Sequence, residues 1–216
     1  SQWTWLWAPA ILLQGFNILA TTILLHEQVH DCIWRGRPRL SALLGQLYAL
    51  PSGICPTQFR RWHLDHHDHL GSDTADPKRA NLSPKVNSRL LKLAYFTPAL
   101  FVIYARASKR AASAYPAAMQ RRIRAERLLA VGCHLLLLIG LVAAGGWGLA
   151  LRVHLAPLLL GFPVAFAINR LGQHYDIQPG DPARGTTRLD GNPVWRWLFL
   201  WSNHHLEHHL YLSLIH

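Results

Sequence analysis

Long apolar segments recur along this chain, and they predict membrane-spanning helices. Residues 3–25 contain no charged side chain, and the same is true of residues 128–151. Each segment exceeds the about 20 residues that an α-helix needs to cross a bilayer. A third, shorter segment covers residues 153–169 and contains Pro157 and Pro163. The pattern therefore predicts three crossings.

Two further apolar stretches, residues 40–59 and 90–104, are interrupted by prolines and predict re-entrant or interfacial helices. Only 15% of the residues are charged, below the about 25% usual for soluble domains. We therefore expect an all-α integral membrane bundle of three or four spans plus interfacial helices. Residues 1–216 would form a single domain, and we expect the whole protein to continue beyond both ends. An added upstream span would place the N-terminus in the cytoplasm.

Basic residues predict the orientation of this bundle. Of the 22 lysines and arginines, 21 lie in the segments that also contain the histidine clusters described below, and only Arg152 lies between the second and third predicted spans. The densest run is 106–127. The positive-inside rule places these segments in the cytoplasm. Because the basic residues flank apolar spans instead of forming one face of a soluble fold, binding to nucleic acid is not expected.

Histidines form four clusters in the polar segments. Within three of them the spacing is i, i+3 or i, i+4, which puts the rings on one face of a helix. Three helices could thus present two or three imidazoles each to a common centre. The clusters are His26 and His30 in HEQVH, His63, His66 and His67 in HLDHH, His174 in GQHYD, and His205, His208 and His209 in HLEHH.

Nine imidazoles are too many for one tetrahedral zinc ion, and the number suits two metals. An all-histidine site at a membrane surface favours a di-iron centre that activates oxygen. Nearby carboxylates would accept the other N–H group of the ligand rings and fix their orientation. The acidic residues placed for this role are Asp31, Asp65, Asp176 and Glu207.

HEQVH, WHLDHHDHLGSDTADP, NRLGQHYDI and SNHHLEHHLY resemble the histidine boxes of the membrane fatty acid desaturase superfamily, over about residues 20–211. The resemblance implies two irons bound in the cytoplasmic cap of a helical membrane protein. His204, where the family usually has Tyr, and His69 are left outside the ligand set. The implied ligands are His26, His30, His63, His66, His67, His174, His205, His208 and His209.

The resemblance also implies an oxidoreductase that uses O₂ to introduce a C=C bond into a fatty acyl or related lipid chain. Its substrate would be a lipid or long amphiphile that enters from the membrane through an apolar tunnel. We expect a multi-pass protein of a bacterial inner membrane. The chain has no Gly-rich dinucleotide fingerprint or cysteine cluster. An external electron donor, ferredoxin or a small haem protein, would therefore dock on the cytoplasmic face, with 106–127 as the candidate surface.

Three alternatives stay open at this point. Carotenoid ketolases and hydroxylases of the same superfamily share similar boxes, and RGRPRLSALLGQL resembles a stretch of some ketolases. HEQVH also matches the HExxH motif of zinc metalloproteases, with Glu27 as general base, although an intramembrane protease would leave the second and third clusters without a role. A metal transporter or storage protein is the third, but transporter sites usually lie near the bilayer midplane.

Overall fold

The computed structural model describes residues 4–34, 36–83, 86, 88–174, 181–187 and 191–210. Those residues contain helices and no strands, as the all-α prediction requires. The α-helices are α1 (Trp7–Val29), α2 (Pro38–Ala49), α3 (Pro56–Asp68), α4 (Arg89–Ala94), α5 (Ala99–Ala112), α6 (Ala117–Ala150), α7 (Phe162–Gln173), α8 (Pro182–Gly185), α9 (Pro193–Leu198) and α10 (His205–Leu210). Short 3₁₀ helices cover Thr4–Leu6 and Leu50–Ser52, and π-helical turns cover Lys78–Leu82, Leu151–Leu155 and Pro157–Gly161.

Two helical segments are long and apolar enough to cross a membrane, Thr4–Val29 and Ala117–Gln173. The second is interrupted at Gly146, whose φ of 71° is left-handed. His134 Nδ1 and His154 Nε2 lie 3.3 Å apart across this break. An unbroken helix would separate residues twenty positions apart by about 30 Å. The chain therefore reverses direction at the glycine pair 145–146 and forms an antiparallel hairpin.

The predicted position of this reversal, at Arg152, is wrong. Arg152 lies in the π-helical turn Leu151–Leu155, and its guanidinium carbon lies 5.0 Å from the ring centroid of Trp7. The charge of Arg152 suggested a connection, but the left-handed backbone at Gly146 is what ends the helix, because glycine adopts that conformation readily.

The two proline-containing stretches form short separate helices, in agreement with their prediction as broken segments. α2 and α3 are separated by a 3₁₀ turn and Gly53, and α4 and α5 are separated at Pro98. Their depth relative to a membrane stays a prediction.

A close backbone crossing joins α1 to the returning arm of the hairpin. A Cβ atom built on Gly15 would lie 2.2 Å from the carbonyl carbon of Gly161, and one built on Gly161 would lie 2.4 Å from the carbonyl oxygen of Ile11. Small residues allow such backbone approach between membrane helices. The adjoining hydrophobic core is formed by residues of α1, α5 and α7 and by the residue that follows α9. Its members are Ile18, Leu19, Ile23, Leu100, Phe162, Ala165 and Phe199.

Helix α3, which carries the second histidine cluster, is anchored to α6 by a buried carboxylate. Glu126 accepts hydrogen bonds from the backbone N–H of Thr57 at 3.0 Å and from its hydroxyl at 2.5 Å. These bonds satisfy a donor in the first turn of α3 and place negative charge at its N-terminus. Farther along α3, Trp62 Nε1 donates to the hydroxyl of Tyr115 at 2.8 Å. The orientation of α3 is thus fixed at its N-terminus and at its middle.

We expect Gly15→Ala to destabilise the fold. The added methyl group would meet the backbone of Gly161, and overpacking costs about 1–3 kcal/mol. The matched control is Gly132→Ala on α6, where an added Cβ meets no atom within 4 Å. Thermal unfolding in detergent should show a lower midpoint for Gly15→Ala and an unchanged or slightly higher midpoint for Gly132→Ala. Equal midpoints would show that the two backbones need not be so close.

Candidate metal centre

All nine predicted histidines lie together at one end of the bundle. They come from the last turn of α1 and the residue after it, from the helix α3, from the residue after α7 and from the helix α10. They divide into two groups, and within each group one nitrogen from every ring lies within 4.8 Å of the others. The groups are His26, His30, His63, His67 and His208, and His66, His174, His205 and His209.

Close contacts between Nε2 atoms connect the rings within each group. Neighbouring Nε2 atoms lie 2.6–3.2 Å apart. The contacts are His30–His63, His63–His67 and His67–His208 in the first group, and His66–His174, His174–His205 and His205–His209 in the second. The Nε2 atoms of these rings therefore converge on the interior of each group.

The opposite ring nitrogens of His66 and His174 show which atoms carry protons. His66 Nδ1 donates to Asp76 Oδ2 at 2.8 Å, and His174 Nδ1 donates to the carbonyl oxygen of Gly185 at 3.0 Å. A neutral imidazole has one N–H, so Nε2 of both rings then presents a lone pair. Those two lone pairs face each other at 3.1 Å. A cation between them would turn this repulsion into ligation, so the residues present fit a metal ion.

Burial keeps these rings neutral, which is the form that binds metals. It lowers the pKa of His63, His66 and His205 well below 6.5, and neighbouring rings and Lys78 lower it further. For His67 and His174, burial is the main cause and the charge of Lys78 is the next. Together they lower the pKa of His67 to about 2 and that of His174 to about 3. The site therefore presents lone pairs at neutral pH.

Asp76 is the carboxylate that orients His66, and it was not among the predicted acids. Its side chain is buried, with 1% of its surface exposed. Besides the ring of His66, it accepts the backbone N–H of Gly71 at 3.1 Å and that of Lys78 at 2.9 Å. Its place before Pro77, within the quoted motif GSDTADP, is the signal that could have identified it, because Asp is favoured at such turns.

Two of the four predicted carboxylates form ion pairs with arginines. In the described part of the chain, Asp31 lies 3.5 Å from Arg60 and Asp65 lies 2.8 Å from Arg61. Glu207 Oε1 lies 3.6 Å from Nδ1 of His204. Asp176 lies outside the described residues.

The acid that contacts the first cluster is instead Glu27, whose Oε1 lies 2.8 Å from His26 Nδ1. His69 and His204 belong to neither of the two groups found among the described residues. His69 Nδ1 lies 3.1 Å from the carbonyl oxygen of Asp65 at the exposed end of α3.

Two neighbouring cavities lie in this part of the bundle, and one of them is lined by histidines. The histidine cavity, about 80 Å³, is lined by four of the nine rings and by Lys78 and Arg170. The apolar cavity, about 260 Å³, lies between α3, α5 and α7. Its lining includes Trp62, Leu100, Phe101 and Phe162, together with the polar residues Gln58, Ser108 and Arg127. Both are lined by Phe59, Tyr104 and Phe166. The arrangement can place an apolar chain in one cavity while its end lies beside the imidazoles.

We expect Asp76→Ala to weaken metal binding while leaving most of the fold intact. Without the carboxylate, His66 Nδ1–H loses its acceptor, and loss of such a partner typically costs about 10–100-fold in metal affinity. Asp73→Ala in the same loop is the control, since that carboxylate is exposed and pairs with Arg79. Metal content measured by mass spectrometry after dialysis against a weak chelator should fall only for Asp76→Ala. Equal retention in both variants would contradict an orienting role.

Comparison with known proteins gives the family. A family model described as fatty acid desaturase matches residues 2–214, a range that includes all four histidine clusters. No curated protein was found to match the chain. Because the family model covers nearly the whole sequence, the chain belongs to the fatty acid desaturase family.

Proposed function

We propose that this protein is a membrane-bound di-iron oxidoreductase that introduces a C=C bond into a fatty acyl or related lipid chain. The observation that carries the proposal is the division of nine histidines into a group of five and a group of four, each able to surround one metal. Family membership supports the oxidoreductase class. The nine histidines would be the ligands, and Asp76 and Glu27 would orient two of their rings.

Iron is the metal we propose, because imidazole suits it and because the family's chemistry requires a redox-active ion. When bound, two irons would supply the oxygen activation that an unactivated methylene requires. The overall reaction is –CH₂–CH₂– + O₂ + 2e⁻ + 2H⁺ → –CH=CH– + 2H₂O. Two electrons must therefore come from outside the substrate.

The chain's own residues would position the substrate and exclude water. Trp62, Leu100 and Phe162 would surround the apolar chain. Phe59 lines both cavities, and its ring is stacked on that of His63 at a centroid distance of 5.8 Å. Burial of His63 and His66 keeps bulk water from the centre, since only 1% and 2% of their surfaces are exposed. A positioned chain and a dry site favour oxidation at one carbon pair.

The zinc protease interpretation is less well supported. It requires Glu27 to act as a general base, yet Glu27 Oε1 lies 2.8 Å from Nδ1 of the adjacent His26. His26 and His30 also share their group with His63, His67 and His208, which a single catalytic zinc does not need. A carotenoid ketolase or hydroxylase would use the same centre, and the products distinguish it.

For the topology, we propose a multi-pass protein of an inner membrane with the histidines on the cytoplasmic side. α1 and the two arms of the hairpin would be the crossings. The glycine pair 145–146 and Trp7 with Arg152 would lie toward the opposite face. The basic run 106–127 would stay in the cytoplasm, as the positive-inside rule requires.

Metal analysis and histidine variants test the proposed centre. Purified protein should contain two irons per chain and turn over only with a reductant and O₂. His66→Ala and His208→Ala should each lower the iron content and abolish turnover, because no neighbouring ring can replace the ligand without moving a helix. His134→Ala is the control, since His134 contacts His154 and the carbonyl oxygen of Leu50, away from both groups.

The product defines the reaction. Expression in a host of defined lipid content, followed by mass spectrometry, should show lipids that have lost two mass units. A gain of one oxygen, or a keto group on a carotenoid ring, would replace desaturation by the ketolase or hydroxylase alternative. One zinc per chain without iron would overturn the di-iron proposal.

For the electron donor, we propose ferredoxin or a small haem protein docking on the first turns of α6. Arg121 and Arg124 are exposed there. Arg122 has a structural role, because its Nε lies 3.2 Å from Glu126, the residue that anchors α3. On α3, Arg60 donates to the carbonyl oxygen of Val29 at 2.8 Å, next to His30. Arg60 and Arg122 line the same surface cavity, so the basic residues of α6 lie on the side of α3 that leads to the centre.

Reversing the charge of Arg121 and Arg124 to glutamate should raise the donor's KM several-fold and flatten the dependence of turnover on salt. The matched control reverses Arg89 and Lys92, two exposed cations on α4. The wild-type protein and the two variants are compared by steady-state turnover with reduced ferredoxin, measured from low to high ionic strength. Identical salt dependence in all three proteins would remove this face as the docking site.

A further inference from the structure

Two cations line the histidine cavity. Lys78 begins the π-helical turn Lys78–Leu82, and Arg170 lies on the last turn of α7. Arg170 donates to the hydroxyl of Tyr104 at 3.1 Å and to the carbonyl oxygen of Lys78 at 3.4 Å. Both acceptors are neutral, so neither offsets its charge. The ammonium of Lys78 has no hydrogen-bond or ion-pair partner within the described part of the chain.

One carboxylate, Asp76, attracts the Lys78 ammonium, but a single negative charge offsets only part of the charge of two cations. Asp76 already accepts hydrogen bonds from His66, from Gly71 and from the backbone of Lys78. Burial and repulsion from Arg170 lower the pKa of Lys78 to about 7, although the attraction of Asp76 raises it in part. The Lys78 charge in turn lowers the pKa of seven of the nine histidines, which places it close to both groups. An excess of positive charge in a buried cavity is costly unless an anion accompanies it.

We propose that Lys78 and Arg170 bind the carboxylate of an amphiphilic substrate, so that this enzyme acts on free carboxylic acids and not on neutral lipids or esters. The inference rests on the proposed oxidoreductase function and specifies its substrate. The carboxylate lies in the histidine cavity between the two cations. The hydrocarbon chain passes Phe59, Tyr104 and Phe166 into the apolar cavity.

This orientation fixes where oxidation occurs. The histidine cavity, at about 80 Å³, is small, and the cations and the imidazoles line it together. A carboxylate at Lys78 therefore leaves only the carbons nearest to it beside the centre. The remainder of the chain occupies the larger apolar cavity. Oxidation should take place within the first few carbons from the carboxyl end.

Binding by three ligands of equal chain length tests the charge requirement. Wild-type protein in phosphatidylcholine nanodiscs is titrated with radiolabelled dodecanoate, with 1-dodecanol and with methyl dodecanoate, against empty nanodiscs. Dodecanoate should bind about 10–100-fold more tightly than either neutral ligand, as loss of a charge-assisted hydrogen bond implies. Lys78→Met should remove that preference and leave binding of 1-dodecanol unchanged. The control is Lys92→Met, which removes an exposed lysine from α4.

Equal binding of the three ligands by wild-type protein would overturn the carboxylate assignment, and this arm needs no variant to fold. Retention of the preference in Lys78→Met would also overturn it. Iron content and the position of oxidation in the product are measured on the same samples. Protein that contains two irons but shows no preference for the carboxylate would reject this inference and leave the di-iron proposal standing. A carboxylate preference in iron-free, zinc-containing protein would reject the di-iron proposal alone.

Discussion

The repulsion between unprotonated imidazole nitrogens is the constraint on which the arrangement of this protein depends. His66 and His174 present lone pairs to each other at 3.1 Å because the opposite nitrogen of each ring donates to Asp76 or to Gly185. The scaffold must provide enough stability elsewhere to keep these rings together. It does so through the glycine crossing of α1 and through the anchoring of α3 by Glu126. The centre is therefore preorganised for cations and unfavourable without them.

Electrostatics also distinguish the two sides of the site. On the outer side, carboxylates and carbonyl groups accept ring protons and favour ligands of fixed orientation. On the inner side, Lys78 and Arg170 add positive charge next to a centre that would itself be cationic. Such a cavity disfavours any neutral occupant that cannot accept a hydrogen bond. Selectivity for the substrate would thus come from the positive charge of this cavity.

The sequence indicated which histidines would lie together, but not how they divide into two groups. Helical spacing indicated that His63, His66 and His67 share a face, but spacing carries no information on which other helices that face meets. The structure assigns His66 to one group and its neighbour His67 to the other. Asp76 could not be found from periodicity, because a turn at Gly71 with φ of 78° brings it back to α3. The hairpin reversal was misplaced because hydropathy does not register a backbone change at Gly146.

The division of each group among distant helices has a consequence for biosynthesis. Both groups need rings from α10, whose first residue follows His26 by almost the whole length of the described chain. At about 5–20 residues per second, synthesis of that interval takes roughly 10–40 s. Neither group can be complete while the ribosome is still making α10. Insertion of the apolar helices during synthesis would therefore precede completion of either group, and a cell short of metal would accumulate chains whose imidazoles still repel one another.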